Sequence, residues 1–412
     1  MVRFVPENLH WRLEYPVGKV LVDSISWISH PKVSPDGKWV AFADHENPVG
    51  DDQGSVAVIG PDGKEKKLSS GWSSLEGILW SRDGDEVWFG ASNSGSSDNL
   101  RGVTLSGKLR TIANVPGGMW LQDQRQDSML IVTHQERLKI RGMGPGAKEE
   151  IELGWLGWSY LRDISDDGKK ILFEEEADGG GPNYTVFLRD TDGSPPVRMG
   201  EGVGHAISPD GKWAITQALR GNALTLVPTG PGESRQLTHD NINYGVVRFL
   251  RDGKRVLASG IEPGHGARDY LIEVSSGQSK PLTPEGTVGV VPSPDGHATA
   301  VAQPDGTWGI WSLDQAGGAF QPVPNLDARY RVTGWSPDGK SLLVFPAAIQ
   351  KTAKVYRVDI KTGKIEFWKE FGASLAKEAV FVARPVFATD GQAYVYVYDQ
   401  VLSESYVVKG LR

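Results

Sequence analysis

The chain contains no cysteine. Disulfide staples and thiol chemistry are thereby excluded, and the compartment stays open on that ground. No run approaches the length of about 18 apolar residues that spans a bilayer, so no membrane-spanning helix is expected. The first 22 residues carry Glu7 and Glu14. They lack an apolar core of about seven residues, so no signal peptide is expected in them. Positive charge is not in excess. The net charge of −7 is spread along the chain, which disfavours non-specific nucleic-acid binding. The eight histidines are scattered without a His-Glu-x-x-His pair, so no metal site is expected. No stretch has the pattern of a long amphipathic helix. The nearest, Ser374 to Phe381, reads as a short insertion.

What is abundant is turn chemistry, with 51 glycines and 25 prolines. Ser34-Pro35-Asp36-Gly37 recurs intact at Ser208, Ser293 and Ser336. Weaker copies centre on Asp83, Asp167, Asp252 and Asp390, and a ninth, without Pro or Gly, on Asp127. The aspartates lie about 43 residues apart, and a fixed period of that size is the mark of a repeat architecture. In each copy Ser bonds back to the backbone, Pro presets φ, Asp tolerates the bridge region and Gly takes φ > 0, which makes a type I turn closing a hairpin. The runs after the turns, such as Trp39-Val40-Ala41-Phe42 and Leu342-Leu343-Val344-Phe345, are apolar at every position. Such strands are covered on both faces. Two further strands complete most repeats, for example Tyr270 to Val274 followed by Ser279 to Leu282. Four strands per repeat of this length describe a propeller blade.

The expected fold is therefore all-β, a single closed β-propeller of nine four-stranded blades spanning 1–412. The blades fall roughly at 21–70, 71–115, 116–154, 155–201, 202–239, 240–284, 285–325, 326–370 and 371–412. Eight blades is the alternative, because the Asp127 copy is so degraded. The last repeat reads as three strands, Pro385 to Phe387, Tyr394 to Tyr398 and Tyr406 to Val408. The stretch Trp11 to Tyr15, within a closing segment 1–20, is expected to supply its missing outer strand.

The repeats resemble the TolB-like, WD-repeat-like propellers of bacteria. A closer resemblance is carried by Ser26-Trp27-Ile28-Ser29-His30-Pro31-Lys32-Val33-Ser34-Pro35, Gly180-Gly181-Pro182-Asn183-Tyr184, Asp190-Thr191-Asp192-Gly193-Ser194, Glu262-Pro263-Gly264-His265-Gly266 and Val355-Tyr356-Arg357-Val358-Asp359. Together they look like the propeller region C-terminal to bacterial serine/threonine protein kinases. That resemblance implies a sensory or binding role and an extracytoplasmic location, with a kinase domain and membrane span elsewhere in the family's layout.

Neither part is in this chain. There is no His-Arg-Asp loop, Asp-Phe-Gly or Gly-rich phosphate loop. Gly71-Trp72-Ser73-Ser74-Leu75 and Gly157-Trp158-Ser159-Tyr160-Leu161 both lack the final Gly of a nucleophile elbow. No catalytic residue and no cofactor is assigned, and the expectation is a binding protein rather than an enzyme. A protein scaffold of TolB type, and a lyase or hydrolase working through channel residues, are the rival readings. The acidic stretches Asp51-Asp52 and Glu174-Glu175-Glu176-Ala177-Asp178 lack the alternating spacing of a calcium loop and read as solvated surface.

Candidate binding residues come from the strand before each turn. Its last position is mostly large and apolar, as in Val33, Trp80, Ile164, Phe249 and Trp335. The position before that includes Lys32, Asp123, Asp163 and Arg248. Alternation gives this set one common direction, toward the central channel if these strands are innermost. The charges are then a paired structural network or, with His30 and Arg384, a polar ligand site at one channel mouth. The partner implied is a polar small molecule, a peptide or a protein, and the chain is expected to be a monomer.

Overall fold

The turns are the simplest elements to explain. In the computed structural model, which describes residues 1–5, 10–45, 52–93, 99–114, 118–176, 179–314 and 318–410, Ser34 N–H donates to Trp39 O at 2.8 Å and Gly37 N–H to Ser34 O at 2.9 Å. Ser34 Oγ donates to Asp36 Oδ1 at 2.6 Å and accepts from Trp39 N–H at 2.9 Å. Asp36 Oδ1 also accepts from Lys38 N–H at 3.1 Å. The same five bonds recur at Ser165, Ser208, Ser293 and Ser336. The aspartate thus does more than tolerate the turn, since its carboxylate is an acceptor that closes it. The glycine takes φ of +74° at Gly37 and +69° at Gly211, where an L side chain is strained.

All nine turn copies form hairpins. Their first strands are Ile28–Val33, Ser74–Trp80, Gly118–Arg125, Ser159–Ile164, Val203–Ile207, Asn243–Phe249, Val288–Pro292, Tyr330–Trp335 and Phe381–Phe387. The degraded copy at Asp127 folds too, as a tighter turn with Arg125 opposite Ser128 and Gln126, at the motif's proline position, at φ +59°. The second strands are buried on both faces, with Phe42, Phe89 and Phe173 at 0% exposure. The whole is all-β, built of four-stranded antiparallel sheets and consistent with a propeller. Among the described residues the helical content is one 3-10 turn, Ala373–Leu375, inside the expected insertion.

The chain forms two compact units. Unit 1 is Met1–Glu136, Ala177–Pro182 and Val401–Arg412, and unit 2 is Arg137–Glu176 and Asn183–Gln400. The long strands Ser128–Met143 and Tyr394–Lys409 each give one half to each unit.

Unit 2 holds five complete four-stranded meanders, which begin at Ser159, Val203, Asn243, Val288 and Tyr330. Their first strands neighbour one another in chain order. The Tyr330–Trp335 strand then neighbours Phe381–Phe387, which neighbours Ser159–Ile164 again. The sixth sheet is composite. Phe381–Phe387 pairs with the start of Tyr394–Lys409, which lies beside residues 137–143, and these pair with Ile151–Glu152. Gly142 permits the close approach, because a Cβ there would sit 2.4 Å from Tyr394 O. A ladder of tyrosines ties the two sources together. Tyr394 and Tyr396 donate their hydroxyls to Glu150 at 3.0 and 2.7 Å, and Tyr398 donates to Glu152 at 2.6 Å. Apolar side chains such as Ile215, Val247, Val256 and Tyr270 fill the space between adjacent sheets.

In unit 1 the first strands Ile28–Val33, Ser74–Trp80 and Gly118–Arg125 are consecutive neighbours. A three-stranded sheet, Val2–Val5, His10–Glu14 and Val20–Ser24, packs against the first of them.

Two expectations are corrected. Trp11 to Tyr15 does not complete the last repeat. Pro16 to Lys19 makes a tight turn, with Gly18 at φ +91°, that lays Val20–Ser24 against one edge of His10–Glu14 while Val2–Val5 takes the other. The outer strands beside the last repeat come from residues 137–152, in one five-stranded sheet whose strand Ser128–Met143 is divided between the two units. Tyr406 to Val408 is not a separate strand either. No Gly or Pro interrupts residues 399–405, and Tyr394–Lys409 runs through.

The turn reading makes a graded prediction. Gly211→Ala meets open space and should cost only the left-handed strain, about 1 kcal/mol. At Gly168, φ +72°, the same change also puts a Cβ 2.4 Å from that of Ala393, and should cost more than about 2 kcal/mol. Urea unfolding of the two variants checks the order, and equal costs would contradict it.

Candidate functional site

Strict alternation fails at one place in every first strand. Each of the nine slips register before its turn, between Leu161 and Asp163, Gly204 and Ala206, Ala383 and Val386, Ser29 and Lys32, and at the matching point of the other five. A bulge re-aims the residues it carries. In unit 2 the bulged residues include Arg162, His205 and Arg384. Arg384 adopts φ +53° and is followed by Pro385, and His30 in unit 1 has the same form, φ +51° followed by Pro31. Non-glycine residues in this region carry strain.

In unit 2 the bulges converge on one cluster. Arg162 Nε donates to both carboxylate oxygens of Glu174 at 2.8 and 3.0 Å, and its Nη2 contacts Glu174 as well. Glu174 also accepts Gly204 N–H at 2.8 Å. Glu176 lies 3.9 Å from Arg162. Asp163 accepts Ile207 N–H at 2.9 Å and sits 3.8 Å from Arg248 Nε. Arg248 gives Nη1 to the carbonyls of His205 and Val247 and Nη2 to that of Arg162, each at 2.8 Å. One side chain thereby binds three neighbouring strands. His205 Nε2–H donates to Gln217 Oε1 at 2.9 Å, a tautomer set by Gln217 Nε2 donating to Gly221 O at 2.8 Å.

Arg384 is different. Its guanidinium lies over the Tyr160 ring at 4.5 Å, and that of Arg162 over the same ring at 4.3 Å. Among the described residues Arg384 has no hydrogen-bond or ion-pair partner. Burial, with Arg162 and Arg248 nearby, pulls its pKa below the usual arginine value, against Tyr160 and Glu174. Burial also acts on Arg162, but Glu174 more than offsets it and the pKa is raised. Burial raises the Asp163 carboxyl, opposed by Arg248. Burial, reinforced by Arg162, holds His205 down to about 3, so it is neutral at ordinary pH.

In unit 1, Lys32 Nζ donates to Gln122 O at 2.9 Å, and Asp123 is exposed, its carboxylate accepting the adjacent Gln124 N–H at 2.9 Å. His30 Nδ1 is 2.8 Å from Ser29 Oγ, which is 2.7 Å from His45 Nε2. His30 Nε2 is 3.5 Å from Glu76. Burial, with His45 and Lys32, lowers the His30 pKa to about 4. At neutral pH the Glu76 contact is therefore not an ion pair.

The structure thus brings Asp163, Arg248 and Arg384 into one cluster in unit 2, while His30, Lys32 and Asp123 belong to unit 1. Sequence reasoning missed Tyr160, Arg162, Glu174 and His205. A signal for the bulges was there in His30-Pro31 and Arg384-Pro385, since proline inside a strand marks a bulge or an edge. The acidic stretch at 174–178 is corrected in part. Glu174 and Glu175 are 0% and 1% exposed at the end of the Lys170–Glu175 strand. They satisfy buried donors rather than face solvent, Glu175 accepting Leu156 N–H, Trp158 N–H and Ser159 Oγ–H. Asp51, Ala177 and Asp178 lie outside the described residues.

No protein-family model matches the sequence, and no curated protein matches it. Solved structures are similar. A prolyl endopeptidase has 16% identity and a TM-score of 0.37, over 91% of this chain and 54% of that one. TolB from Acinetobacter baumannii has 14% identity and a TM-score of 0.28, over 90% of this chain and 66% of that one. The tricorn protease has 12% identity and a TM-score of 0.38, over 97% of this chain and 46% of that one. The chain spans about half to two thirds of the length of these proteins. At these identities and TM-scores the likeness carries nothing about activity.

Two predictions follow from the cluster's geometry. Arg248→Lys cannot reach three carbonyls and should lower stability by about 2–3 kcal/mol, whereas Arg384→Met removes an unpaired, half-buried cation and should leave stability unchanged or raised. Urea midpoints check this, and the reverse order would contradict it. For His205 the folded pKa is depressed from 6.5 to about 3. Its contribution is full above pH 6.5 and is lost as pH falls toward 3, at up to about 1.4 kcal/mol per pH unit for one proton. His205→Gln should flatten the acid limb of the stability curve, and an unchanged slope would contradict the assignment.

Proposed function

We propose that unit 2 is a six-bladed propeller, closed where its C-terminal hairpin meets residues 137–152, and that it is a non-catalytic binding module taking a polar ligand beside Arg384. The observation that carries the proposal is Arg384 itself. A cation partly removed from water without a partner is costly, and a left-handed non-glycine residue adds of order 1 kcal/mol or more. Arg162 and Arg248 are compensated by Glu174 and Asp163, and Arg384 has no ion-pair partner among the described residues. Its missing counterpart is supplied by the ligand.

The non-catalytic reading is supported by how the cluster uses its groups. His205 is spent on Gln217 and held neutral, and Glu174 is spent on Arg162 and Gly204. Neither is free to move a proton. The resemblance to the propeller region of bacterial kinases supports a sensory role outside the cytoplasm.

Thermal shift against carboxylates, phosphates, amines and sugars is the test. At least one class should raise the Tm of the wild type while leaving Arg384→Met unmoved. Identical responses of the two proteins to every class would contradict the proposal.

A further inference from the structure

We infer that the group received at Arg384 is a carboxylate, held bidentately by the guanidinium fork. The inference rests on the binding reading above and names its chemistry.

Three observations carry it. First, the face of the Arg384 guanidinium is covered by the Tyr160 ring at 4.5 Å, so its N–H edges are what remain for a ligand. A guanidinium edge offers two parallel donors, which match the two oxygens of a carboxylate. Second, those donors are unspent, because Arg384 has no protein acceptor among the described residues. Arg248 stands in the same cluster and has its Nη donors on three carbonyls, so it adds charge but few further bonds. Third, the charge balance disfavours a doubly charged anion. Arg162, Arg248 and Arg384 face Asp163, Glu174 and Glu176. The site is not a pool of excess positive potential that would draw a dianion. A phosphate would bring two negative charges beside three carboxylates, whereas a carboxylate brings one and fits the fork. The Tyr160 hydroxyl and Arg162 Nη1, neither with a hydrogen bond to a described residue, are further donors in the same cluster.

The carboxylate can come from a small free acid or from the C-terminus of a peptide, and the experiment separates the two. The whole protein is titrated at constant ionic strength and pH 7 with acetate, the tripeptide Ala-Ala-Ala, its C-terminal amide, phosphate and sulfate. The free-acid tripeptide, acetate or both should bind the wild type. The amide should bind at least tenfold more weakly than the free acid if the peptide is the source. Acetate binding as tightly as the tripeptide would mark a small acid. Arg384→Lys, which keeps the charge but loses the fork, should weaken binding at least tenfold. The inference is overturned if phosphate or sulfate binds more tightly than the carboxylates, if Arg384→Lys binds as well as wild type, or if only amines or sugars respond to Arg384. In those cases the binding reading survives. If Arg384→Met matches wild type toward every probe of both experiments, both readings fail together.

Discussion

A first strand in one of these sheets has a hydrogen-bonding neighbour on one side only. Its other edge faces the first strand of the next sheet without a ladder between them, and an unpaired edge is a liability. In unit 2 the edges are held by individual bonds instead. Asp163 takes Ile207 N–H, Glu174 takes Gly204 N–H and Asp269 takes Gly289 N–H at 2.8 Å. Trp335 Nε1 reaches Val291 O at 2.9 Å, and Thr333 reaches Pro385 O. Unit 1 uses the same device, with Trp80 Nε1 donating to Lys32 O at 3.0 Å. Each bond joins one sheet to the next. The bulges make them possible by bending the edge and freeing backbone groups from the ladder. They exact something in return. Asp269 is 1% exposed, has one oxygen unpartnered and is pushed by burial up to about 7.

The proposed function grows from the same constraint. Bulged positions are where a side chain leaves the packing between sheets and meets the open edge. At most of them the residue serves the fold. Arg162 braces Glu174, and His205 caps Gln217. At Arg384 the backbone is strained and the guanidinium has no hydrogen-bond or ion-pair partner among the described residues. A position that is strained and whose cation has only a ring face for company is the natural place to look for a ligand.

The repeat and its turns were legible from residues alone, because Ser, Asp and Gly each have a separate bonding or conformational duty at fixed spacing. Even the Asp127 hairpin was placed by spacing, although Gln126 and Ser128 stand where the motif has proline and glycine. The proposed closure was not legible. It depends on residues 137–152 pairing with a hairpin some 240 residues away in sequence, and no local pattern encodes that distance. The tyrosines at 394, 396 and 398 show one face of a strand, but their partners Glu150 and Glu152 look like ordinary surface acids in sequence. The site was half legible. Period-two alternation found Asp163 and Arg248 and missed Arg162 and His205, because the bulge lies between the two sets and reverses the parity.

Closure by residues 137–152 is the claim on which the six-bladed reading, and with it the setting of Arg384, depends. Melting of the isolated fragment 137–400, followed by circular dichroism, tests it most directly. The account predicts one cooperative transition for 137–400 and its loss in 153–400, which lacks the two outer strands. A fragment 137–400 that melts without cooperativity until residues 1–24 are restored would contradict the account.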